Sequence, residues 1–413
     1  MVTLPGGISS TIRRLPDLDG SPFKVARAQG AYLFGPDGKR YVDYAMAMGA
    51  TILGHAHPAV VEACVKALEN GSMPGFTHDR EEAAAEALVQ DAGRLAKATF
   101  LTTGSEAVHL ACRIARKTTG RGTIAKIAAG FDGWYDDLAF GWYGAEETAM
   151  GGSRPYRNGM TLLRWNDIAD LESLFVENGD VAAVLIEPML ANANSLMPAP
   201  SYLADVGRIC RKHGAMVIAD EVLMGFRLRP GISSPAMGLD PDLATLGKAI
   251  GSGLPVAAVL GTEEAFEVVA DGRAMRAGTY HGNPLVTSAV LATLAVLRSR
   301  DYGQLLGRGQ TFRKAIEAAV SESGIKVTAS GIDSVFSLWF ADHAPASYAE
   351  ALPLVRPELS LELHLEMRRN GVLTIPGAWS RIFLSFAHAQ ADCDETVEAY
   401  RNSARRMVEL GLA

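Results

Sequence analysis

From about residue 60 to residue 290, short runs of small aliphatic residues alternate with stretches whose apolar positions recur at helical spacing. That alternation is the pattern of strand–helix units feeding a mostly parallel sheet. The spacing predicts helices over 58–70, 81–95 and 105–117, and strands over 99–101, 123–127, 181–186, 216–219, 243–246 and 257–260. Several of these strands are continuously apolar, as strands covered on both faces are. After Asn283 the rhythm changes to helix 285–298, helix 302–323, strand 335–340, helix 361–370, strand 383–385 and a last helix from Cys393, a smaller α+β region. The expected architecture is α/β, with residues 1–50 as an N-terminal segment joining the small domain and the site entrance, 51–288 as the large domain and 289–413 as the C-terminal small domain. Residues 144–159, rich in Gly, Ser, Arg and Asn without periodicity, read as a mobile surface loop.

At 413 residues the chain is long enough for two to three domains at about 150 residues each. Its 48% hydrophobic and 21% charged residues exclude a disordered, collagen-like or coiled-coil chain. A net charge of −7 with no block of like charge makes nucleic acid and anionic membranes poor partners. Cys64, Cys112, Cys210 and Cys393 are far apart, which suggests neither a zinc site nor a disulfide framework, so no metal is expected and a reducing compartment fits. The N-terminal residues lack a basic stretch followed by an apolar core, and the longest apolar runs are too short to span a membrane; the expectation is a cytoplasmic protein.

The apolar run ending at Ala219 delivers Asp220 and Glu221 to the carboxyl edge of the expected sheet, where open α/β sheets bind ligands. A second run, 243–246, ends in Gly247-Lys248. A lysine brought from a buried strand into glycine-rich surroundings is partly desolvated, which favours the neutral amine that forms imines. A nucleotide-binding loop is excluded here, because Asp242 and Ala249 occupy positions that need Gly and Ser or Thr. Thr102-Thr103-Gly104-Ser105-Glu106-Ala107 turns a strand through glycine into a helix, either as an anion site or as a plain N-cap at Ser105. Phe131-Asp132-Gly133-Trp134-Tyr135 could lay a ring over a flat ligand or serve as core or lid. A buried lysine, an acid, an anion-binding helix start and a ring are together the parts needed to hold pyridoxal phosphate.

The blocks at 6–13, 38–44, 53–58, 103–107, 186–188, 220–227, 241–248 and 278–284 stand in one order along nearly the whole chain. In them the sequence resembles class III pyridoxal-phosphate aminotransferases of fold type I, and within that class glutamate-1-semialdehyde aminomutases and related β-amino acid aminotransferases. The resemblance implies a large domain with a mostly parallel sheet of the seven-stranded type, pyridoxal 5'-phosphate as cofactor, and a homodimer whose active site is shared between subunits. Lys248 would form the Schiff base and move the proton during transfer, and Asp220 would pair with the pyridine nitrogen. Val222 would pack on one ring face, and Phe131 would stack where the family usually has tyrosine. Gly104 and Ser105 would bind the phosphate, Thr279 would reach the phosphate of the neighbouring subunit, and Asn192 and Glu187 would lie near the phenolic oxygen. Arg13, close to Ser10, stands where similar enzymes hold a substrate carboxylate, against the alternative of an exposed basic residue beside Arg14.

Departures from the family pattern bear on the reaction. Asp132 replaces the usual histidine after the ring-stacking position. Ser380 stands where the aminomutases carry a glutamate linked to gating, and Arg381 follows it, either as a second carboxylate anchor or as a surface arginine. Phe131, Trp134, Met224 and Trp379 are candidates to line an apolar pocket. The expectation is an aminotransferase moving an amino group between a carboxylate-bearing donor, such as a β-amino acid with an apolar or aromatic side chain, and a 2-keto acid. The alternative is an intramolecular transfer of the aminomutase type.

Overall fold

The computed structural model describes residues 3–149 and 154–412. Its centre is an eight-stranded sheet in the order Lys97–Leu101, Ala257–Gly261, Leu243–Leu246, Met216–Asp220, Val181–Ile186, Thr123–Ile127, Met160–Leu163 and Tyr156–Arg157. Six strands run one way; Ala257–Gly261 runs against both its neighbours, and Tyr156–Arg157 turns back on Met160–Leu163. That two-residue hairpin is why the sheet has eight strands where seven were expected. Of the stretch 144–159 expected to be a loop, residues 150–153 lie outside the described residues, and its end forms this hairpin.

The continuously apolar runs are buried on both faces, each covered by its own layer of helices. The helix Gly104–Thr119 opens with a capping box, in which Thr103 accepts from the Glu106 amide and Glu106 accepts from the Thr103 amide. It ends at Gly120, whose φ of 69° supplies the left-handed residue that closes a helix. The N-cap is therefore Thr103, not Ser105, and the Ser105 side chain is free for other work. The helix expected to run to residue 95 stops at Val89, short of a turn that leads into Lys97–Leu101.

A separate core forms from the C-terminal helices Tyr302–Ser321, Pro357–Arg369 and Gln390–Glu409, packing Phe312, Ile316, Met367 and Met407 with Phe336 of the sheet Thr328–Ile332, Val335–Trp339 and Ile382–Phe383. Val42 and Tyr44 are buried in the same core, because Arg40–Asp43 pairs in parallel with Val372–Leu373 from the other end of the chain. Between this region and the large sheet, Met46, Ala47 and Met48 all hold positive φ, a conformation that costs non-glycine residues energy. The buried Arg227 guanidinium donates to the carbonyls of Gly49 and Leu384 and so ties this segment to the end of Ile382–Phe383.

Candidate active site

Met216–Asp220 and Leu243–Leu246 are parallel neighbours with Asp220 opposite Thr245, so both strands end at one point on the carboxyl edge. Past that edge, Gly104, Ser105, Phe131, Asp132, Gly133, Asp220, Val222 and Lys248 line one cavity of about 300 Å³, together with Thr102, Thr103 and Leu254-Pro255-Val256. Lys248 opens a short 3-10 turn at φ 40°, an unusual backbone state of the kind that marks functional positions. Among the described residues its amine has neither a hydrogen-bond nor an ion-pair partner. Burial, reinforced by the charges of Arg381 and Arg227 and opposed by Asp220 and Glu187, pushes that amine down to about 8.

Asp220 Oδ1 accepts from the Val222 amide at 2.9 Å and from Thr245 Oγ1 at 2.9 Å, which leaves Oδ2 for a donor in the cavity. Burial and then the charge of Asp132 raise the Asp220 carboxyl, and burial followed by Asp132 and Asp220 raises Glu187 well above the usual range. Glu187 Oε1 accepts from the Phe131 amide at 3.2 Å, and its Oε2 lies 3.5 Å from Asn192 Nδ2. At the other end, the amides of Gly104 and Ser105, the first two residues of their helix, have no intrahelical acceptor. Ser105 Oγ accepts from the Trp134 amide at 3.2 Å, which brings the 131–134 loop onto the helix start.

Pyridoxal phosphate fits this set by its donors and by its space. A Cβ on Gly133, at φ 129°, would come within 2.9 Å of Ser105 Oγ, so glycine is needed there, and one on Gly104 would press on Val222 Cγ1 at 3.0 Å. The open amides face where a phosphate would sit, and Asp220 Oδ2 and the lone amine stand where a pyridine nitrogen and an aldehyde need partners.

Arg381 is 7% exposed, so it is not a surface arginine. Its Nη1 donates to the carbonyls of Asn192 and Trp379, both at 3.2 Å, its Nε is buried without a partner, and no carboxylate among the described residues pairs with it. Its charge acts on both Lys248 and Glu187. Beside it, rings run from Phe131 to Tyr143 (6.5 Å), Tyr143 to Trp379 (6.2 Å) and Trp379 to Tyr348 (5.4 Å). Ser380 is half-buried next to Arg381, its carbonyl accepting from Ser337 Oγ.

Other expected residues lie elsewhere. Met224 is fully buried in a cluster with Met46, Met189 and Phe383 and is not among the residues lining the Lys248 cavity, and Trp134 is 71% exposed. Thr279 is exposed in a separate surface cavity of about 630 Å³ with Phe76 and His281. Arg13 lines a third cavity, of about 680 Å³, with Met48 and His55, and the half-buried Ser10 lies three residues before it outside that lining. Lys126, which the sequence reading passed over, is fully buried under the cofactor cavity and contacts Asp132; a lysine inside the apolar run Thr123–Ile127 was the available signal.

The fold and this site define an enzyme of the aminotransferase type. The class-III aminotransferase family model matches residues 17–331, and the chain belongs to that family. It is 34% identical to a glutamate-1-semialdehyde 2,1-aminomutase from Laribacter hongkongensis over 98% of this chain and 97% of that protein. It is 36% identical to one from Sorangium cellulosum over 97% and 93%. A transaminase solved with PLP bound superposes with a TM-score of 0.88 at 27% identity, covering 100% of this chain and 96% of that one.

Proposed function

We propose that this chain transfers an amino group to and from pyridoxal phosphate on a substrate that carries a carboxylate. The single observation that carries the reading is that the unpartnered Lys248 amine and the buried Arg381, which lacks any carboxylate partner among the described residues, lie near enough for the Arg381 charge to act on Lys248. When bound, pyridoxal phosphate supplies an aldehyde that condenses with amines and a ring that delocalises charge from the carbon bearing the amine. Gly104 and Ser105 would hold the phosphate through their amides, Asp220 Oδ2 would keep the ring nitrogen protonated, and Val222 and Phe131 would lie against the two ring faces. Lys248 Nζ would hold the aldehyde carbon in the resting enzyme and, once released, move the proton at the substrate carbon. Arg381 would take the substrate carboxylate, and the rings of Tyr143 and Trp379 would exclude water from an apolar or aromatic side chain.

The reading includes a homodimer and a cytoplasmic site of action. Thr279 lies in a surface cavity bordered by the 86% exposed Phe76, beside the 65% exposed Tyr280, as residues meant for a neighbouring subunit would. The four cysteines are free, in keeping with a reducing compartment, and no helix among the described residues is long and apolar enough to cross a membrane.

Two directions of transfer divide this reading. The curated relatives named above support intramolecular transfer, as in an aminomutase, more strongly than exchange with a separate keto acid. Ser380 and Arg381 support exchange, since a serine stands where the aminomutases carry a glutamate and a cation follows it. Stopped-flow absorption with α-amino acids, β-amino acids and amino aldehydes, each with and without a 2-keto acid, separates the two. Exchange requires that product form in step with added keto acid; isomerisation of an amino aldehyde without it establishes the mutase. A carboxylate-free amine reacting as fast as every acid would sink the role of Arg381.

A further inference from the structure

Lys126 sits in the strand Thr123–Ile127 with a side chain that is 0% exposed, an expensive place for an ammonium unless it is paired. Its Nζ donates to the carbonyls of Leu138 at 2.7 Å and Gly130 at 3.2 Å and lies 2.9 Å from Asp132 Oδ2, whose side chain is 2% exposed. The ammonium is aimed at the two carbonyls, so the Asp132 contact is a charge contact without hydrogen-bond alignment. All three partners belong to the segment that follows the strand. That segment also carries Phe131, whose amide binds Glu187, and Trp134, whose amide binds Ser105.

Asp132 and Asp220 line the cavity, and the buried Glu187 lies near enough to feel both charges. Asp132 heads the charged groups that raise Asp220 and Glu187. Three carboxylates close together would be mutually repulsive without nearby cations; the Lys248 charge acts on Asp220 and Glu187, and the cation in contact with Asp132 is Lys126. Among the described residues, other charged or titratable groups nearby are Arg381 and Arg227, which act on Lys248, Cys112 with Arg116 from the helix Gly104–Thr119, and Glu147, on which the Lys126 charge acts.

We propose that Lys126 and Asp132 form a positioning pair: Lys126 fastens the loop that presents Phe131 and Gly133, and its charge balances the one carboxylate that this loop adds beneath the cofactor. The pair explains why an aspartate can stand at this position at all. It rests on the pyridoxal-phosphate reading for its effect on the ring, but the pairing itself does not.

The test uses Lys126→Met, Asp132→Asn and the double variant, each melted without cofactor and then reconstituted with pyridoxal phosphate for a pH titration of its visible absorption. A lone negative charge favours the protonated, positive form of the bound chromophore, and a lone positive charge disfavours it. Lys126→Met therefore moves the absorption midpoint up by about one pH unit and Asp132→Asn moves it down by about as much, while the double variant returns to within about 0.3 unit of the parent. Each single variant melts several degrees below the parent and the double recovers at least half of the loss, because a neutral pair leaves no buried charge alone. Shifts of the same sign, no shift, or additive losses in the double variant overturn the proposal. If Lys126→Met does not fold, Asp132→Asn and the double variant still decide. If the parent binds no pyridoxal phosphate, the functional reading falls while the cofactor-free melts judge the pair.

Discussion

In the proposed reading Lys248 supplies a nucleophilic amine and Arg381 a fixed cation, and each makes a measurable prediction. A free lysine amine is almost wholly protonated at neutral pH, whereas one brought down to about 8 is neutral in roughly one molecule in ten at pH 7. Because only the neutral amine captures an aldehyde, covalent uptake of pyridoxal phosphate should speed up as pH rises and level off above about pH 8; stopped-flow absorption reads this, and a rate flat from pH 6 to 9 contradicts it. Replacing Arg381 by Met removes a charge-assisted contact worth roughly 1.5–3 kcal/mol, so the KM of a carboxylate substrate should rise about tenfold to a hundredfold while a simple amine is little changed. At this scale Lys248 and Asp220 were legible because each stands where an apolar run ends. Whether Arg381 was surface or anchor was not, since burial depends on the strand Ile382–Phe383 closing against residues nearly 50 positions upstream. Met224 was read as pocket lining, but its place in a turn after the sheet edge points it into a core that only the fold assembles.

Elements were read best where one face or two faces were continuously apolar: the strands Thr123–Ile127, Val181–Ile186 and Leu243–Leu246 fall where the pattern put them. Missing from that reading were Met160–Leu163 and the N-terminal strands Arg27–Gln29, Tyr32–Phe34 and Arg40–Asp43, short pieces stabilised by partners rather than by their own pattern. The pairing of Arg40–Asp43 with Val372–Leu373 joins residues about 330 positions apart, which no local signal announces. The helix Gly104–Thr119 and the 131–134 loop are joined by the Trp134 amide donating to Ser105 Oγ. Gly133 has a φ of 129°, and a methyl group there would meet Ser105 Oγ at 2.9 Å. Gly133→Ala should therefore keep the far-ultraviolet spectrum and lose at least about tenfold in cofactor affinity, a change of roughly 1.4 kcal/mol or more. Unchanged affinity in equilibrium titration would mean that the loop does not shape the phosphate end.

For the whole molecule, the separation of Thr279 from the cavity that holds Lys248 is informative. If Thr279 serves a neighbouring subunit, Phe76→Glu should break the particle into monomers that hold pyridoxal phosphate weakly, and Thr279→Ala should weaken cofactor retention while leaving the dimer intact. Light scattering coupled to size exclusion, followed by dialysis and absorption, reads both; a monomeric parent that retains full cofactor refutes the shared site. Composition and charge make nucleic acid and anionic membranes poor partners, but nothing in them distinguishes a surface residue from one waiting for a second copy.

The most direct measurement is to reconstitute the protein with pyridoxal phosphate, reduce it with borohydride and map the modified peptide by mass spectrometry. Lys248 and Lys126 lie at this cavity or directly beneath it, and they differ in that Lys126 donates to two carbonyls and contacts a carboxylate while Lys248 has no partner among the described residues. The account predicts one phosphopyridoxyl group per chain, on Lys248, and none on the Lys248→Ala variant, which should also be inactive. Label on Lys126, or no stable label at all in a protein that remains active, would contradict it.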